Sequence, residues 1–316
     1  ILVPKAALNN RSVKFIYRLA SLPNPKYYEA QKNRISVYTI PRIQKLYHED
    51  ESFIYLPRGC FEDLVKALNF FSVEIVIKDK QTLGDMIMVS FNGKLKDYQK
   101  DGLDKLLKYD NGLFVARPSY GKTVTAIALI AELKLNTLII VPNLTLLKQW
   151  KDRLNTFLDV GYEFKKEKDK FGQYSGNKKK LTNMIDIACI DSLLSEESGE
   201  ILKQYGVIIF DEVHHIAAST YEQVVRKCYS KYLYGFTATP KRSDKNEKII
   251  YKTIGDIRYQ YKDEDSNFDK ILKPEFTYFT YTSLEKTTSY SNMLSCLLSD
   301  EERNERIVND IKNAYK

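Results

Sequence analysis

Residues 113–133 read LFVARPSYGKTVTAIALIAEL, and this stretch decides the fold. It starts with a short apolar run, Leu113–Ala116, which predicts a buried strand. Pro118 to Gly121 then give a turn signal, and the segment from Thr123 to Leu133 is rich in the Ala, Ile and Leu residues that favour a helix. The stretch therefore predicts a strand, a tight loop and a helix in direct succession.

The same alternation continues toward the carboxyl terminus. Short apolar runs predict four more strands, and the stretches between them predict helices. We expect strands at Thr137–Val141, Ile185–Ile190, Val207–Phe210 and Tyr232–Thr237, and helices at Leu144–Leu158 and Tyr221–Ser230. Apolar strands that alternate with helices are typical of a parallel sheet covered on both faces. We therefore predict an α/β fold with ligands bound at the carboxyl ends of the strands.

The first 90 residues lack this alternation, and we predict that they form a small α+β domain. One stretch, Phe61–Phe71, favours a helix. The candidate strands are Lys14–Ala20, Ile35–Ile40, Phe53–Leu56, Val73–Ile77 and Gly84–Phe91. At the other end, Ser299–Lys316 is charged and favours a helix.

The composition is that of a globular protein, with 43% apolar and 28% charged residues. The longest apolar runs are far too short to span a bilayer, so we expect no membrane segment. The four cysteines are scattered, without paired spacing for zinc or disulfides. This pattern favours a reducing, cytoplasmic compartment.

The net charge is +8, and much of it is concentrated in two places. Residues 1–94 carry 14 lysines and arginines against 9 acids, a balance of +5. A second concentration lies between Lys165 and Lys180. Such a balance suits a phosphate-backbone partner, and it equally suits a well-solvated lysine-rich surface. Charge alone leaves both interpretations open.

The segment from Ala116 to Thr123 has the spacing of a phosphate-binding P-loop. It departs from the usual pattern because Ala116 replaces the first glycine, and Ser119 and Tyr120 stand where glycine is usual. Such a loop presents its backbone N–H groups, and the start of its helix, to the phosphates of a nucleotide. We expect Ser119, Tyr120, Gly121, Lys122 and Thr123 to bind the nucleotide. Lys122 would reach the β- and γ-phosphates, and Thr123 would hold Mg²⁺.

An acidic pair follows the predicted strand Val207–Phe210, in the sequence Asp211-Glu212-Val213-His214-His215. Because the P-loop follows a strand of the same predicted sheet, Asp211 is placed to hold Mg²⁺ and Glu212 to polarise an attacking water. The alternative is that the two acids cap a helix. We also assign His214 to the nucleotide site, and we expect no shared metal on His214 and His215, since adjacent side chains diverge.

Thr237-Ala238-Thr239-Pro240 ends the last predicted strand. The hydroxyls of Thr237 and Thr239 could bond to the acidic loop and couple it to the state of the nucleotide. A simple strand-terminating turn is the alternative interpretation.

The order of these blocks resembles superfamily 2 helicases, in the branch that contains the DEVH-box repair and transcription helicase and phage branch-migration helicases. Four further stretches carry the resemblance, and Cys189 stands where the family usually has threonine. They are Leu95–Gln99, Val141–Trp150, Ile187–Leu193 and Tyr234–Arg242. The residues before 90 are weakly similar to the amino-terminal region of bacterial and phage members, through Asn24-Pro25 and Leu56–Gly59.

This resemblance implies a RecA-like lobe that binds ATP and Mg²⁺ and moves on DNA, either single-stranded or branched. It implies that Gln99 reads the adenine and that four residues contact the DNA backbone: Asn143, Lys148, Ser192 and Arg242. On this basis we expect a basic accessory domain at 1–90, the lobe at 91–284 and a helical connection at 285–316. That connection would lead to a second lobe outside this chain, so the isolated lobe should hydrolyse ATP only weakly. We expect a bacterial or phage origin.

Several alternatives stay open at this stage. An RNA helicase would carry the same acidic motif, and a non-catalytic DNA-binding module could retain a vestigial P-loop. A motor subunit of a restriction or phage-defence complex, with its nuclease encoded elsewhere, is a third. The basic domain could bind duplex or branched DNA or only cap the lobe. Trp150, the single tryptophan, is predicted to be a core residue rather than a base-stacking one.

Overall fold

The computed structural model describes residues 1–162, 170–215, 218–239, 247–261, 274, 276–277, 279–280 and 290–314. Contacts divide the chain into two compact units, Ile1–Lys262 and Asp263–Lys316. The division into domains at residues 90 and 284 stays a prediction.

An eight-stranded sheet is the centre of the first unit, and seven of its strands run parallel. Its strands are β7 (Asn111–Val115), β8 (Thr137–Val141), β10 (Gly172–Ser175), β11 (Lys178–Lys180), β12 (Ile185–Cys189), β13 (Val207–Asp211), β14 (Tyr232–Thr237) and β15 (Ile257–Gln260). They lie in the order β11-β10-β12-β8-β13-β14-β7-β15. The antiparallel strand β11 forms one edge, and it consists of three exposed lysines. The predicted parallel α/β sheet is confirmed.

Helices cover both faces of this sheet because successive strand residues alternate between two cores. One core lies against α4 (Asp97–Leu106), α5 (Lys122–Leu133) and α6 (Leu144–Phe157). The other lies against α7 (Ser198–Leu202), α8 (Ala218–Val225) and α9 (Glu247–Thr253). In β8, Ile139 enters the first core and Ile140 the second. This two-sided burial explains why the strand sequence is apolar throughout.

Small sheets and helices make up the first 90 residues, as predicted. The strands are β1 (Leu2–Pro4), β2 (Ser21–Pro23), β3 (Ile43–Lys45), β4 (His48–Glu49), β5 (Phe53–Tyr55) and β6 (Val89–Phe91), and the helices are α1 (Asn10–Leu19), α2 (Pro25–Lys32) and α3 (Phe61–Phe70). Strands β1, β5 and β4 form one sheet, and β2 pairs with β3. Strand β6 pairs with β9 (Leu158–Val160), directly after α6.

Several predicted strands in this region were wrong. Lys14–Ala20 lies mostly in helix α1, because Asn9 caps the helix and Ser12 completes a capping box. Ile35–Ile40 and Val73–Ile77 form no strand. Val76 is 75% exposed, whereas Val73 and Ile75 pack against the amino-terminal core without pairing in a sheet. In Gly84–Phe91 only the last three residues form a strand. The predictions for Phe53–Leu56 and Phe61–Phe71 are confirmed.

The amino-terminal region is fixed to helix α9 and to the segment just before β14. Ile249 of α9 is buried in the same core as Ile16, Ile54 and Leu64. The buried guanidinium of Arg58 donates to the carbonyl oxygens of Ser230 (2.5 Å) and Lys231. Burial lowers the pKa of Arg58 to about 10, so the side chain stays charged at neutral pH. The amino-terminal region therefore packs on the part of the chain that carries the large sheet, through a shared core and a buried cation.

The second unit contributes α10 (Tyr290–Ser299) and α11 (Glu301–Ala314) to the described residues, which confirms the helical tail. None of the helices in the described ranges is both long and apolar enough to cross a membrane.

Replacing Arg58 with alanine should lower the free energy of unfolding by about 2–4 kcal/mol, because two buried carbonyl oxygens lose their donors. Chemical denaturation of the wild type and Arg58→Ala measures the change. Arg11→Ala, at an exposed position of α1, is the matched control and should stay within about 0.5 kcal/mol. Equal stability of the two variants would show that the Arg58 contact does not hold this region in place.

Candidate nucleotide-binding site

The carboxyl ends of the parallel strands bring the predicted site residues to one edge of the sheet. Strand β13 lies between β8 and β14, and β14 lies beside β7. Asp211 therefore ends a central strand, Thr237 ends its neighbour, and the P-loop leaves the next strand along. Residues that are far apart in the sequence meet here because parallel strands all end at the same edge.

The loop before α5 has the backbone conformation that a P-loop needs. Gly121 has a φ of +94° and is the N-cap of α5. A Cβ at this position would lie 2.3 Å from Nε2 of Gln99, so glycine is required by both conformation and space. Ser119 also has a positive φ of 64°, which is uncommon for a residue other than glycine. The loop therefore holds its turn without the usual glycines at 119 and 120.

Tyr120 explains how this loop is held. Its ring is 3% exposed, and its hydroxyl donates to the backbone oxygen of Tyr98 at 2.7 Å. The backbone oxygen of Tyr120 accepts from Nε2 of Gln99 at 3.0 Å. Tyr120 thus ties the loop to α4 with its side chain and with its backbone oxygen.

Gln99 is buried, and both ends of its amide are engaged. Its Oε1 accepts from the backbone nitrogen of Lys96 at 2.9 Å, in addition to the bond that its Nε2 makes to the loop. The structure therefore places Gln99 beside the P-loop as a support for its backbone. Its contact with adenine stays a prediction.

Lys122 meets the acidic pair at this edge. Its Nζ lies 3.5 Å from Oε1 of Glu212 and donates to the backbone oxygen of Ala116 at 3.2 Å. The side chain is only 9% exposed. Lys122 and the acidic pair after β13 therefore lie at one edge of the sheet, and their role in holding a nucleotide stays a prediction.

Asp211 is a buried carboxylate with two donors. Nε1 of Trp150 donates to Oδ2 at 2.7 Å, and the backbone N–H of Glu212 donates to Oδ1 at 3.0 Å. Burial is the main cause that raises the pKa of Asp211, to about 6, and the charge of Glu212 adds to it. The Trp150 hydrogen bond acts in the opposite direction.

Thr123 and Asp211 line one cleft of about 480 Å³. The rest of its lining comes from α6: Leu146, Gln149, Trp150, Asp152, Arg153 and Thr156. Within the described ranges, no group of three or more His, Cys, Asp and Glu side chains could hold a metal. One hydroxyl and one carboxylate facing a cleft fit Mg²⁺, which usually takes few protein ligands and completes its shell with phosphates and water.

Glu212 has an unusual backbone and an unsatisfied side-chain oxygen. Its φ is 47°, in the left-handed region that costs a non-glycine residue about 1–2 kcal/mol. Its Oε2 is buried without a hydrogen bond, although Nδ1 of His214 lies 3.3 Å away. Strain and an unsatisfied buried acceptor both point to a functional position. The free oxygen could accept a proton or orient a water.

Thr237 and His214 connect the acidic loop with the next strand. The hydroxyl of Thr237 donates to the backbone oxygen of Thr239 at 2.8 Å and lies 2.7 Å from Nδ1 of His214. The hydroxyl proton of Thr237 is used in the bond to Thr239, so the hydroxyl oxygen accepts from His214. We therefore assign the ring proton of His214 to Nδ1, which donates to Thr237. The predicted contact between the threonine block and the acidic loop is present in this form. The coupling role of Thr237 and Thr239 stays a prediction.

The predicted DNA contacts lie at the same edge, on the other side of β13. Asn143 follows β8 and caps α6 by accepting from the backbone N–H of Leu146 at 3.0 Å. Lys148 is exposed on the same helix, and Ser192 follows β12, where its hydroxyl accepts from Gly176. Arg242 lies outside the described residues. The structure therefore groups three of the four residues without testing their role.

Two features of the site were not foreseen from the sequence. Trp150 is buried, as predicted, but it also bonds to Asp211. The link from Tyr120 to Tyr98 was missed as well, and the only sequence signal for it was a tyrosine in place of a P-loop glycine. Both contacts join residues that are distant in sequence.

The parallel sheet, the P-loop and the Lys122–acid cluster define the class of this protein, a P-loop nucleotide-binding protein with a RecA-like fold. Residues 92–242 match the family model described as "Type III restriction enzyme, res subunit". The DNA 3'-5' translocase XPB2 of Sulfurisphaera tokodaii is 31% identical over 195 residues, which cover 61% of this chain and 42% of that protein. The DNA 3'-5' helicase XPB of Kineococcus radiotolerans is 27% identical over 187 residues, 57% of this chain and 32% of that protein.

Among solved structures, the UvsW helicase from bacteriophage T4 has a TM-score of 0.58 at 16% identity. The match covers 79% of this chain and 93% of that one, and it shows the fold alone. The chain spans less than half the length of the two XPB relatives. Taken together, these findings show that the part of the chain around the P-loop is similar to DNA helicases and translocases of superfamily 2.

The raised pKa of Asp211 predicts a pH-dependent stability without Mg²⁺. The folded state holds this proton up to about pH 6, whereas the unfolded state releases it near the ordinary value of 3.8, so stability falls as the pH rises between these values. Asp211→Asn has no such group to titrate. Its free energy of unfolding, relative to that of the wild type, should therefore rise by about 3 kcal/mol from pH 3.5 to pH 8. Denaturation in the presence of a chelator measures it. A pH-independent difference would contradict the raised pKa of Asp211.

Proposed function

We propose that this chain is the ATP-binding motor lobe of an ATP-dependent DNA helicase or translocase. The observation that carries the proposal is the ion pair of Lys122 with Glu212, next to Asp211, at the end of a buried central strand. Removing this ion pair from water costs free energy, so its position at the end of the strand supports a functional use of the two charges. The position directly beside a P-loop favours a nucleoside triphosphate as that ligand.

Each residue has a distinct role in this proposal. Lys122 leaves Glu212 to bind the β- and γ-phosphates, and the N–H groups of the loop at Ser119–Gly121 bind phosphate oxygens. Thr123 and Asp211 hold Mg²⁺, which neutralises charge on the phosphates when it is bound. Glu212 then has both carboxylate oxygens available to orient the attacking water and accept its proton. Nδ1 of His214 lies 3.3 Å from Glu212 and 2.7 Å from Thr237, so a change of charge on Glu212 would act on the bond to Thr237.

DNA, either single-stranded or branched, is the proposed polymer. Support comes from the names of the two XPB relatives, a DNA translocase and a DNA helicase. It also comes from the position of Asn143, Lys148 and Ser192 on one side of the nucleotide edge. Contacts of this kind are made to the backbone phosphates and carry no sequence preference. A second RecA-like lobe would close over this edge and supply the arginine that speeds phosphoryl transfer.

Nucleotide binding by this chain tests the first half of the proposal. Lys122→Ala should weaken binding of a fluorescent MgATP analogue by about 10–100-fold, because a charged hydrogen-bond donor to phosphate is lost. Glu212→Gln should keep that binding and slow single-turnover hydrolysis by about 100-fold or more. Lys108→Ala is the control, since this exposed lysine precedes β7 at the opposite edge of the sheet. Equal affinities for wild type and Lys122→Ala would refute ATP binding at this site.

DNA binding tests the second half. Lys148→Ala should weaken binding to single-stranded and duplex DNA equally across sequences. It should also reduce the slope of log affinity against log salt by about 0.7–0.9, as one phosphate contact is lost. Fluorescence anisotropy over a salt series measures both, again with Lys108→Ala as control. A salt-independent affinity, or tighter binding of RNA than of DNA at equal salt, would count against a DNA motor.

A further inference from the structure

Trp150 makes a contact that the proposed chemistry does not yet use. Its indole Nε1 donates to Oδ2 of Asp211 at 2.7 Å, across 61 positions of sequence. Both side chains are buried, with Trp150 1% exposed and Asp211 4%. A buried indole N–H needs an acceptor, and backbone oxygens are the common choice. Here the acceptor is the carboxylate that faces the cleft with Thr123.

The two donors to Asp211 differ in what they fix. The backbone N–H of Glu212 binds Oδ1, but it belongs to the adjacent residue and moves together with Asp211. Trp150 binds Oδ2 from a different element of the structure. Because one donor binds each oxygen, the carboxylate is held in a single orientation. Each hydrogen bond is also stronger than one to an uncharged acceptor.

Trp150 is itself held rigidly. It lies on the buried face of α6 between Leu147 and Leu154, which are 1% and 0% exposed. Helix α6 packs on α5, and the first turn of α5 carries Thr123. Thr123, Trp150 and Asp211 all line the same cleft. The indole therefore lines the same cleft as the two groups that would hold the metal ion.

We propose that Trp150 is a positioning residue that fixes the carboxylate of Asp211 for Mg²⁺ and makes helix α6 part of the metal site. This inference rests on the proposed function. Since α6 starts after Asn143 and carries Lys148, a shift of the helix on a polyanionic strand would act on Asp211 through this one hydrogen bond. The indole N–H connects the two proposed binding surfaces directly.

The test separates the hydrogen bond from the packing of the ring. Incorporation of 3-benzothienylalanine at position 150 replaces the N–H with sulfur and keeps the shape of the indole. Trp150→Phe is a second variant, and Leu154→Val is the matched control on the same buried face. The Mg²⁺ concentration that half-saturates binding of a fluorescent ATP analogue should rise about tenfold in both Trp150 variants, as for other partners of metal ligands. The control should stay within about twofold, and thermal unfolding confirms that each variant folds.

Wild-type Mg²⁺ dependence in the benzothienyl variant would overturn the positioning role. Failure of the wild type to bind MgATP better than Lys122→Ala would overturn the proposed function, and this inference with it. The two failures are distinguishable because the second is visible without any change at Trp150.

An independent readout comes from the fluorescence of Trp150, the only tryptophan of the chain. Binding of Mg²⁺ with unlabelled ATP should change the indole emission of the wild type, since the charge next to its N–H changes. Lys122→Ala should not show that change at the same concentrations. Unchanged wild-type emission at saturating MgATP would overturn the proposed link between Trp150 and the metal site.

Discussion

The ion pair between Lys122 and Glu212 is the interaction on which the rest of the site depends. Both side chains are largely buried, and each leaves water at a cost that only a close opposite charge offsets. A triphosphate offers Lys122 a larger negative charge than Glu212 does, so the same lysine can change partners when the ligand arrives. The pair is therefore the resting form of a site that is arranged for an anion. Its geometry is set by the sheet, because β7 and β13 deliver the two residues to one edge.

Buried hydrogen bonds hold the P-loop and Asp211 in place around this ion pair. Tyr120 and Gln99 tie the P-loop to α4, Trp150 holds Asp211 from α6, and Gly121 allows the turn between them. These contacts come from two helices, α4 and α6, and none involves an exposed side chain. Catalytic groups that are fixed by buried neighbours lose little freedom when a ligand binds, which favours tight and oriented binding.

Sequence reasoning succeeded where local pattern determines structure. Strands β8 and β14 match the predicted ranges residue for residue, because strands buried on both faces are apolar without interruption. It failed in the first 90 residues, where strands of two or three residues gain their partners from distant segments. In Lys14–Ala20, the cap at Asn9 outweighed a pattern that favoured a strand. Strands β10, β11 and β15 were missed because Gln173, the three lysines and Arg258 interrupt their apolar pattern. At the site, motif spacing placed Lys122, Asp211 and Glu212, but the partners Trp150 and Tyr98 are visible only in three dimensions.

The lysine strand at the end of the sheet has a consequence for the solution behaviour of the protein. An edge strand presents unpaired backbone groups to any other strand that approaches, which is a common start of aggregation. In β11 every residue is an exposed lysine, so a second copy arriving edge to edge would bring like charges into register. The repulsion therefore opposes growth of the sheet at the β11 edge.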